Sequence, residues 1–170
     1  MLSHFQIADQ LQRNALVFQN LLSGHDDSAY LWKPAPEKWS LLEIIGHLCD
    51  EEVEDFRARV QHVLEQPNQP MPPINPTGWV EERHYAQQDV HLQLNRFLLE
   101  RKKSVDWLNS LDKPKWENTY EHAQLGAISA RRFLHNWLAH DYLHIRQINR
   151  YLYTYFYTLS GEDWSYAGDW

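Results

Sequence analysis

The stretch that decides the fold lies near the C-terminus, residues 133–148, FLHNWLAHDYLHIRQI. Its aromatic and apolar residues recur every three or four positions, which predicts an amphipathic helix. His140 and His144 fall within this apolar stripe, and residues at i and i+4 project from the same face of a helix. Two imidazoles placed in this way are suited to bind one metal ion.

The histidine pair by itself leaves two interpretations open. This spacing also arises by chance in a chain with ten histidines. The zinc-protease motif H-E-x-x-H is not present, because Asp141 and Tyr142 follow His140. The alternative is a pair of core histidines whose ring nitrogens are hydrogen-bonded, since a buried imidazole without partners is costly. A metal site needs a third ligand from elsewhere in the chain.

Three more amphipathic helices are predicted upstream. An apolar stripe at helical spacing indicates a first helix over residues 3–22. Ser40-Leu41-Leu42-Glu43 is a capping box that opens a second helix, expected to run to about residue 64. A third helix is predicted over residues 87–111, and we assign its run ERKK, residues 100–103, to a solvated face. The fourth helix, with the histidine pair, should run from Ser129 to about Tyr157.

The connections between these helices point to a bundle. Residues 67–85 contain five prolines and are predicted to form a long crossover, ordered only if Trp79 and Tyr85 are buried. No strand-like alternation of useful length is found. The sequence therefore predicts an all-α four-helix bundle with a long crossover connection. We expect one domain over residues 1–170, with a core at about 3–157 and an aromatic tail at 158–170.

Composition and charge exclude several classes of protein. The net charge of −7 argues against binding to nucleic-acid phosphates. No apolar run approaches the roughly 20 residues that span a bilayer, and the first residues lack the features of a signal peptide. Cys49 is the single cysteine, which rules out an internal disulfide and a cysteine-based zinc site and is itself expected to be a buried structural thiol. We expect a cytoplasmic protein that acts on a small molecule, with no nucleic-acid or membrane partner.

His47 is the candidate for the third ligand. It lies early in the second helix, and facing helices in a bundle are roughly 8–10 Å apart, within reach of imidazoles that meet at one ion. Glu51 follows one turn later on the same side, where it could orient an imidazole or act as a general base. Asp141 has two interpretations, a carboxylate that orients an imidazole or a carboxylate on the helix surface.

Several short motifs carry a resemblance to a known family. Lys38-Trp39-Ser40 leads to Glu43 and then to Gly46-His47-Leu48, and His140-x-x-x-His144-Ile145-x-Gln147-Ile148 comes late in the chain. This pattern resembles the DinB-like, or YfiT-like, family of metal-binding four-helix bundles. The resemblance implies that His47, His140 and His144 bind a divalent metal, zinc or nickel first, with iron or manganese as alternatives. Characterised members of that family include mycothiol-dependent isomerases and bacillithiol transferases, which use thiol cofactors.

Two functions from different classes follow from this site. Three protein ligands leave a fourth position for water or substrate, as in catalytic zinc sites. The first hypothesis is a metal-dependent enzyme, a transferase using a low-molecular-weight thiol cofactor or a hydrolase, with Glu51 as the candidate catalytic residue. The second is a metal-binding stress-response bundle that acts as a binding module without turnover.

The abundance of aromatic residues outside the core stripes predicts a homodimer. Aromatic side chains are enriched at protein interfaces, and the family resemblance also implies dimers. The alternative is that Trp164, Tyr166 and Trp170 fold back over their own bundle. In that case the aromatic tail would cover a pocket rather than a partner.

Overall fold

The computed structural model describes residues 2–168, and over this range four long helical segments form the bundle. The predicted all-α four-helix bundle is therefore confirmed. None of the helices within these residues is long and apolar enough to cross a membrane. The elements in chain order are α1 (His4–Leu22), α2 (Asp27–Leu31), α3 (Leu41–Asp50), a π-helical segment (Glu51–Arg57), α4 (Ala58–Glu65), α5 (Trp79–Glu82), a 3-10 turn (Tyr85–Gln87), α6 (Val90–Ser110), β1 (Thr119–His122), β2 (Gly126–Ser129), α7 (Ala130–Ser160) and a second 3-10 turn (Ser165–Ala167).

Serine residues begin three of the four long helices. Ser3 and Ser40 each form a capping box, with Gln6 and Glu43 respectively, so that backbone and side chain satisfy each other's polar groups. Ser129 accepts a hydrogen bond from the backbone of the fourth helix, α7. That helix ends at Ser160, three residues beyond the predicted end, at a glycine with φ 65°.

The four segments pack around two apolar clusters that are separated by a polar layer. α1 packs against α6 and α7, while α3 packs against α6 and α4 against α7. One cluster lies towards the end where α1 stops and α7 ends, and the other lies towards the opposite end. Each of the four segments places buried polar residues between the two clusters: Asn14, Asp50, Glu51, Glu52, Arg101, Ser104, Asp141 and His144.

The structure corrects three expectations. The second long helix is not uniformly α-helical, because Glu51–Arg57 is a π-helical segment between α3 and α4. The connection to α7 contains a small antiparallel hairpin, β1 paired with β2, whose strands of four residues are too short to show an alternating pattern. Arg101 does not belong to a solvated face, since it is 1% exposed and lies inside the polar layer.

The proline-rich crossover is anchored to α3 beside His47. Trp79 and Tyr85 are both buried, as its order required. The ring of Tyr85 lies so close to Gly46 that a β-carbon there would be 2.6 Å from it, and the Tyr85 hydroxyl donates to Asp50 at 2.7 Å. A glycine at position 46 therefore allows the crossover to pack directly on the helix that carries His47.

Candidate metal centre

The three histidines selected from the sequence come together at one point. His47 extends from α3, and His140 and His144 extend from successive turns of α7. One ligand atom from each ring lies within 4.8 Å of the others. The Nε2 atoms of His140 and His144 are 2.9 Å apart. The α3–α7 packing of the bundle thus gives the i, i+4 pair the third imidazole it needs.

Glu51 brings a carboxylate to the same point. Its Oε2 atom lies 2.7 Å from His140 Nε2 and 3.5 Å from His47 Nε2. Glu51 is the first residue of the π-helical segment, and such segments occur frequently at functional sites. The side chain does not orient an imidazole through its outer nitrogen, as one interpretation of the sequence expected, but faces the inner nitrogens directly.

Burial lowers the pKa of all three imidazoles. It lowers the pKa of His47 to about 4, against the opposing effect of Glu51. Burial also lowers the pKa of His140 to about 4, and that of His144 to about 3 with a further contribution from His140. The same burial raises the pKa of Glu51, although His47 and Arg59 act in the opposite direction. At neutral pH the three imidazoles are therefore uncharged, the form in which histidine binds metals.

The ring nitrogens and the carboxylate of this cluster have too few protons to satisfy one another, which favours a bound cation. A neutral His140 has at most one Nε2 proton to donate, yet that atom lies close to both His144 Nε2 and Glu51 Oε2. Lone pairs therefore face one another, and a divalent ion between them would satisfy them. Three imidazole nitrogens suit zinc, nickel or iron, and the Glu51 carboxylate lies beside them. The ligand atoms lie within 4.8 Å of one another, which is wider than the roughly 4 Å expected between ligands of one ion. Small side-chain rotations would complete the coordination.

The outer (Nδ1) nitrogens of two of the histidine ligands lack well-formed hydrogen bonds. Among the described residues, the Nδ1 atoms of His47 and His144 have no partner that meets hydrogen-bond geometry. The backbone of Pro76 and the side chain of Gln147 are nevertheless near enough to raise the pKa of His47 and His144 respectively. Since metal-binding histidines commonly donate their other N–H, these two groups are placed to accept those protons. Pro76 belongs to the crossover, which therefore contributes to the site.

A buried ionic network lies next to the histidines. The Arg101 guanidinium donates two hydrogen bonds of 2.7 Å to the two carboxylate oxygens of Asp141 and one of 2.9 Å to Glu52. Trp137 donates to Glu52 at 3.0 Å, and Asn14 donates to Asp141 at 3.0 Å. Burial acts to lower the pKa of Arg101, but the two carboxylates outweigh it and raise the pKa. The network is charged and joins all four long segments.

This network changes the interpretation of Asp141. The carboxylate is fully buried, so it is not on the helix surface, and its hydrogen bonds go to Arg101 and Asn14 rather than to an imidazole. Its charge still raises the pKa of His140 from a distance. Sequence reasoning did not identify Glu52, Arg101 or Asn14 as neighbours of the site. Glu52 and Arg101 stand in charged runs that resemble solvated faces, so periodicity gave no signal for them.

Other side chains singled out from the sequence have structural positions. Cys49 is fully buried, and burial raises the pKa of its thiol to about 12, so it is an inert packing residue as expected. The Trp39 ring packs 4.7 Å from the ring of His47. His135 approaches the Arg131 carbonyl with its Nδ1 at 2.8 Å and lies outside the cluster.

Access to the cluster differs between its ligands. The side chains of His47 and Glu51 are 6% and 8% exposed, whereas that of His140 is 18% exposed. A cavity of about 250 Å³ on the His140 side includes Phe56, whose ring lies 4.7 Å from that imidazole. A second cavity of about 450 Å³ lies on the other side, beyond Trp39. The cluster is thus largely enclosed, and Phe56 and Trp39 lie between it and the two cavities.

Comparisons with known proteins identify the fold and the family. YfiT from Bacillus subtilis, described as a probable metal-dependent hydrolase with an unusual four-helix bundle topology, superposes with a TM-score of 0.79 at 15% sequence identity. The match covers 96% of this chain and 92% of YfiT, which shows the shared fold. None of the curated protein sequences compared gives a significant match. The family model of the DinB superfamily matches residues 10–148. With that match over most of its length, this chain belongs to the DinB superfamily.

Proposed function

We propose that this protein is a metal-dependent enzyme in which His47, His140 and His144 hold one divalent ion. The observation that carries the proposal is the convergence of three neutral imidazoles and one carboxylate on a single point. Catalytic metal sites commonly have three protein ligands and leave one coordination position open for a reactant. YfiT, which has the same fold, is described as a probable metal-dependent hydrolase.

The reaction class that fits is hydrolysis or group transfer by an activated nucleophile. When bound, a divalent ion lowers the pKa of water or of a thiol and so supplies a nucleophile at neutral pH. Glu51 is the proton acceptor, because its carboxylate stands among the imidazole nitrogens and burial raises its pKa, which makes it a stronger base. The nucleophile is water in a hydrolase, and it is a low-molecular-weight thiol in a transferase.

The surrounding residues keep the ligands in place. Trp39 and Phe56 pack against His47 and His140 and limit the entry of water. Arg101 holds Asp141, the neighbour of His140, and Glu52, the neighbour of Glu51. One buried guanidinium therefore fixes the two backbone segments from which a ligand and the base extend.

The test combines metal analysis with a reaction screen. Protein purified without an affinity tag is assayed for bound metal and then for hydrolysis of activated esters and amides and for transfer of thiols to electrophiles. We expect metal-dependent turnover that is lost in His144→Ala and in Glu51→Gln, with the metal retained only in Glu51→Gln. His135→Ala is the matched control, since His135 lies on the same helix but outside the cluster, and it should keep both properties.

A binding module is the second candidate, and the enclosure of the cluster favours it. His47, Glu51 and His144 are all buried, as in a metal site that does not exchange ligands with solvent. A module would bind the metal with one-to-one stoichiometry and show no turnover in either arm of the screen. The enzyme proposal would then be wrong while the metal site remained.

A further inference from the structure

The larger of the two cavities is lined in part by two residues, Trp39 and Gln147, that lie next to metal ligands. It measures about 450 Å³ and opens between the segment that precedes α3 and the outer turns of α7. Trp39 forms one wall and packs against His47, and Gln147 forms another and raises the pKa of His144. The lining residues are Pro34, Ala35, Lys38, Trp39, Ile44, Gln147, Arg150, Tyr151 and Thr154.

The lining combines an apolar surface with two unpaired cations. Its apolar lining residues include Pro34, Trp39 and Tyr151. Lys38 and Arg150 are exposed, and within the described part of the chain neither side chain has a hydrogen bond or an ion pair. By contrast, the nearby Lys33 is neutralised by Glu43 at 2.7 Å.

This charge pattern is unusual for the chain. The net charge is −7, yet no aspartate or glutamate is among the residues that line the cavity. Free cations beside an apolar wall attract an anion whose remaining part is apolar, because the charge and the apolar body are satisfied at the same time. Arg150 in particular offers a planar set of donors that matches carboxylate or phosphate oxygens.

We propose that this cavity binds the substrate of the metal centre, and that the substrate is a small organic anion with an apolar body. Its carboxylate or phosphate oxygens pair with Lys38 and Arg150, and its apolar part lies against Trp39 and Tyr151. The inference rests on the proposed function in one respect, that the reacting group is directed past Trp39 to the triad. The binding itself does not require the metal.

The experiment uses the metal-free full chain, so that a carboxylate cannot bind to an ion. Phenylacetate, phenyl phosphate and the neutral phenylacetamide are titrated while the indole N–H signal of Trp39 is followed by NMR. That signal is identified by its loss in Trp39→Phe. The two anions distinguish carboxylate from phosphate preference, and the amide has the same apolar body without the charge.

We expect both anions to shift the Trp39 signal and at least one to bind about tenfold or more tightly than the amide. Lys38→Gln combined with Arg150→Gln should weaken anion binding by about tenfold or more and leave amide binding unchanged. Lys115→Gln, an exposed lysine outside the cavity, is the matched control and should have no effect. Lys38, Arg150 and Lys115 are exposed, and circular dichroism checks that all variants are folded.

Three results would overturn the proposal: equal affinity for anions and amide, unchanged anion binding in the double variant, or no shift of the Trp39 signal with any probe up to about 50 mM, well beyond millimolar affinity. The outcome is separable from that of the proposed function. A chain that binds the anions at Trp39 but has no metal or turnover refutes the enzyme alone, and a metal-dependent enzyme without anion binding refutes this inference alone.

Discussion

At the scale of single residues, the metal site depends on imidazoles that remain uncharged in a buried setting. Burial lowers the pKa of His47, His140 and His144 well below that of a free histidine. The lone pairs that a metal needs are therefore available at neutral and at mildly acidic pH. The Glu51 carboxylate lies beside these nitrogens and favours a divalent cation there.

Removal of one ligand should abolish the site without unfolding the bundle. We expect His144→Ala to reduce bound metal from about one equivalent to near zero, because two imidazoles hold the ion far less tightly than three. The helices remain because apolar packing in the two clusters supplies most of the stability. Metal analysis and circular dichroism check the two parts. Unfolding of the variant at ambient temperature would show that the ion has a structural role.

The lowered pKa of His144 predicts a pH-dependent stability in the metal-free protein. The unfolded chain protonates this histidine near pH 6.5, whereas the folded chain does not until about pH 3. The contribution of neutral His144 to the free energy of unfolding is therefore fully present above pH 6.5. It is lost as the pH falls towards 3, by up to about 1.4 kcal/mol per pH unit.

The measurement is urea unfolding of the metal-free chain and of His144→Gln between pH 7 and pH 4.5. Glu51, with its raised pKa, changes stability in the opposite sense, but it is present in both proteins. The native chain should lose stability relative to the variant on acidification. A difference between the two proteins that stays constant with pH would contradict the buried, neutral state of His144.

At the scale of secondary-structure elements, three consecutive acidic residues at the junction of α3 and the π-helical segment are each used differently. Asp50 pairs with Arg83 and Arg96 on the crossover side. Glu51 faces the histidines, and Glu52 faces Arg101. Because these residues point in different directions from one helix, the segment connects the crossover, the triad and the ionic network.

Arg101 should be essential to the stability of this arrangement. We expect Arg101→Met to lower the free energy of unfolding by about 3–5 kcal/mol, because it leaves the buried Asp141 and Glu52 carboxylates without their partner. Lys102→Met is the control on the same helix, since Lys102 is exposed and pairs with Asp106 at the surface. Urea unfolding measures both. Equal losses in the two variants would show that the network contributes little.

The elements differ in how far the sequence could predict them. Helix starts at Ser3, Ser40 and Ser129 were predictable, because each capping serine stands directly before an apolar stripe at helical spacing. The π-helical segment was not, since one extra residue per turn leaves the apolar periodicity almost unchanged over so short a stretch. The hairpin was missed because its strands are too short to alternate visibly.

The residues of the site also differ in how far the sequence could predict them. His140 and His144 were predictable from local spacing, but the inclusion of His47 came from a family pattern and not from periodicity. Glu51 was expected on the same side as His47, but its contact with His140 and the burial of Arg101 depend on partners from other helices. Such long-range pairings leave no trace in the spacing of any one helix.

At the scale of the whole molecule, α7 carries apolar side chains on its outer surface. Tyr142 and Leu143 are about half exposed, and Phe156, Tyr157 and Leu159 are exposed near its end.

In the tail, Trp164 packs against Tyr153 and Tyr157 of the same chain. Tyr166 is fully exposed, and Trp170 lies outside the described residues. Part of the tail therefore folds back, while the middle of α7 stays open.

We propose a homodimer that buries the middle of α7. Light scattering of the untagged protein should give the mass of two chains, and Leu143→Asp should shift it to one chain, because a charge in an apolar interface is costly. Leu92→Asp is the control, an exposed leucine on α6. A mass of one chain across a wide range of concentration would reject the dimer, and the tail would then be the better candidate for a cover over the cavity.

We also propose that the whole chain behaves as one domain. The two apolar clusters draw residues from all four long segments, and the ionic network joins them. Heating should therefore give one cooperative transition, the same when followed by circular dichroism and by tryptophan fluorescence. Two separate transitions would indicate that the ends of the bundle unfold independently.

The central claim is that His47, His140 and His144 together hold one divalent ion. X-ray absorption at the zinc edge, on untagged protein loaded with one equivalent of zinc, measures this most directly. We expect three imidazole nitrogens at about 2.0–2.1 Å from the zinc, with one or two oxygen ligands completing the shell. A shell with one imidazole or none, or a chain that retains no zinc after dialysis, would contradict it.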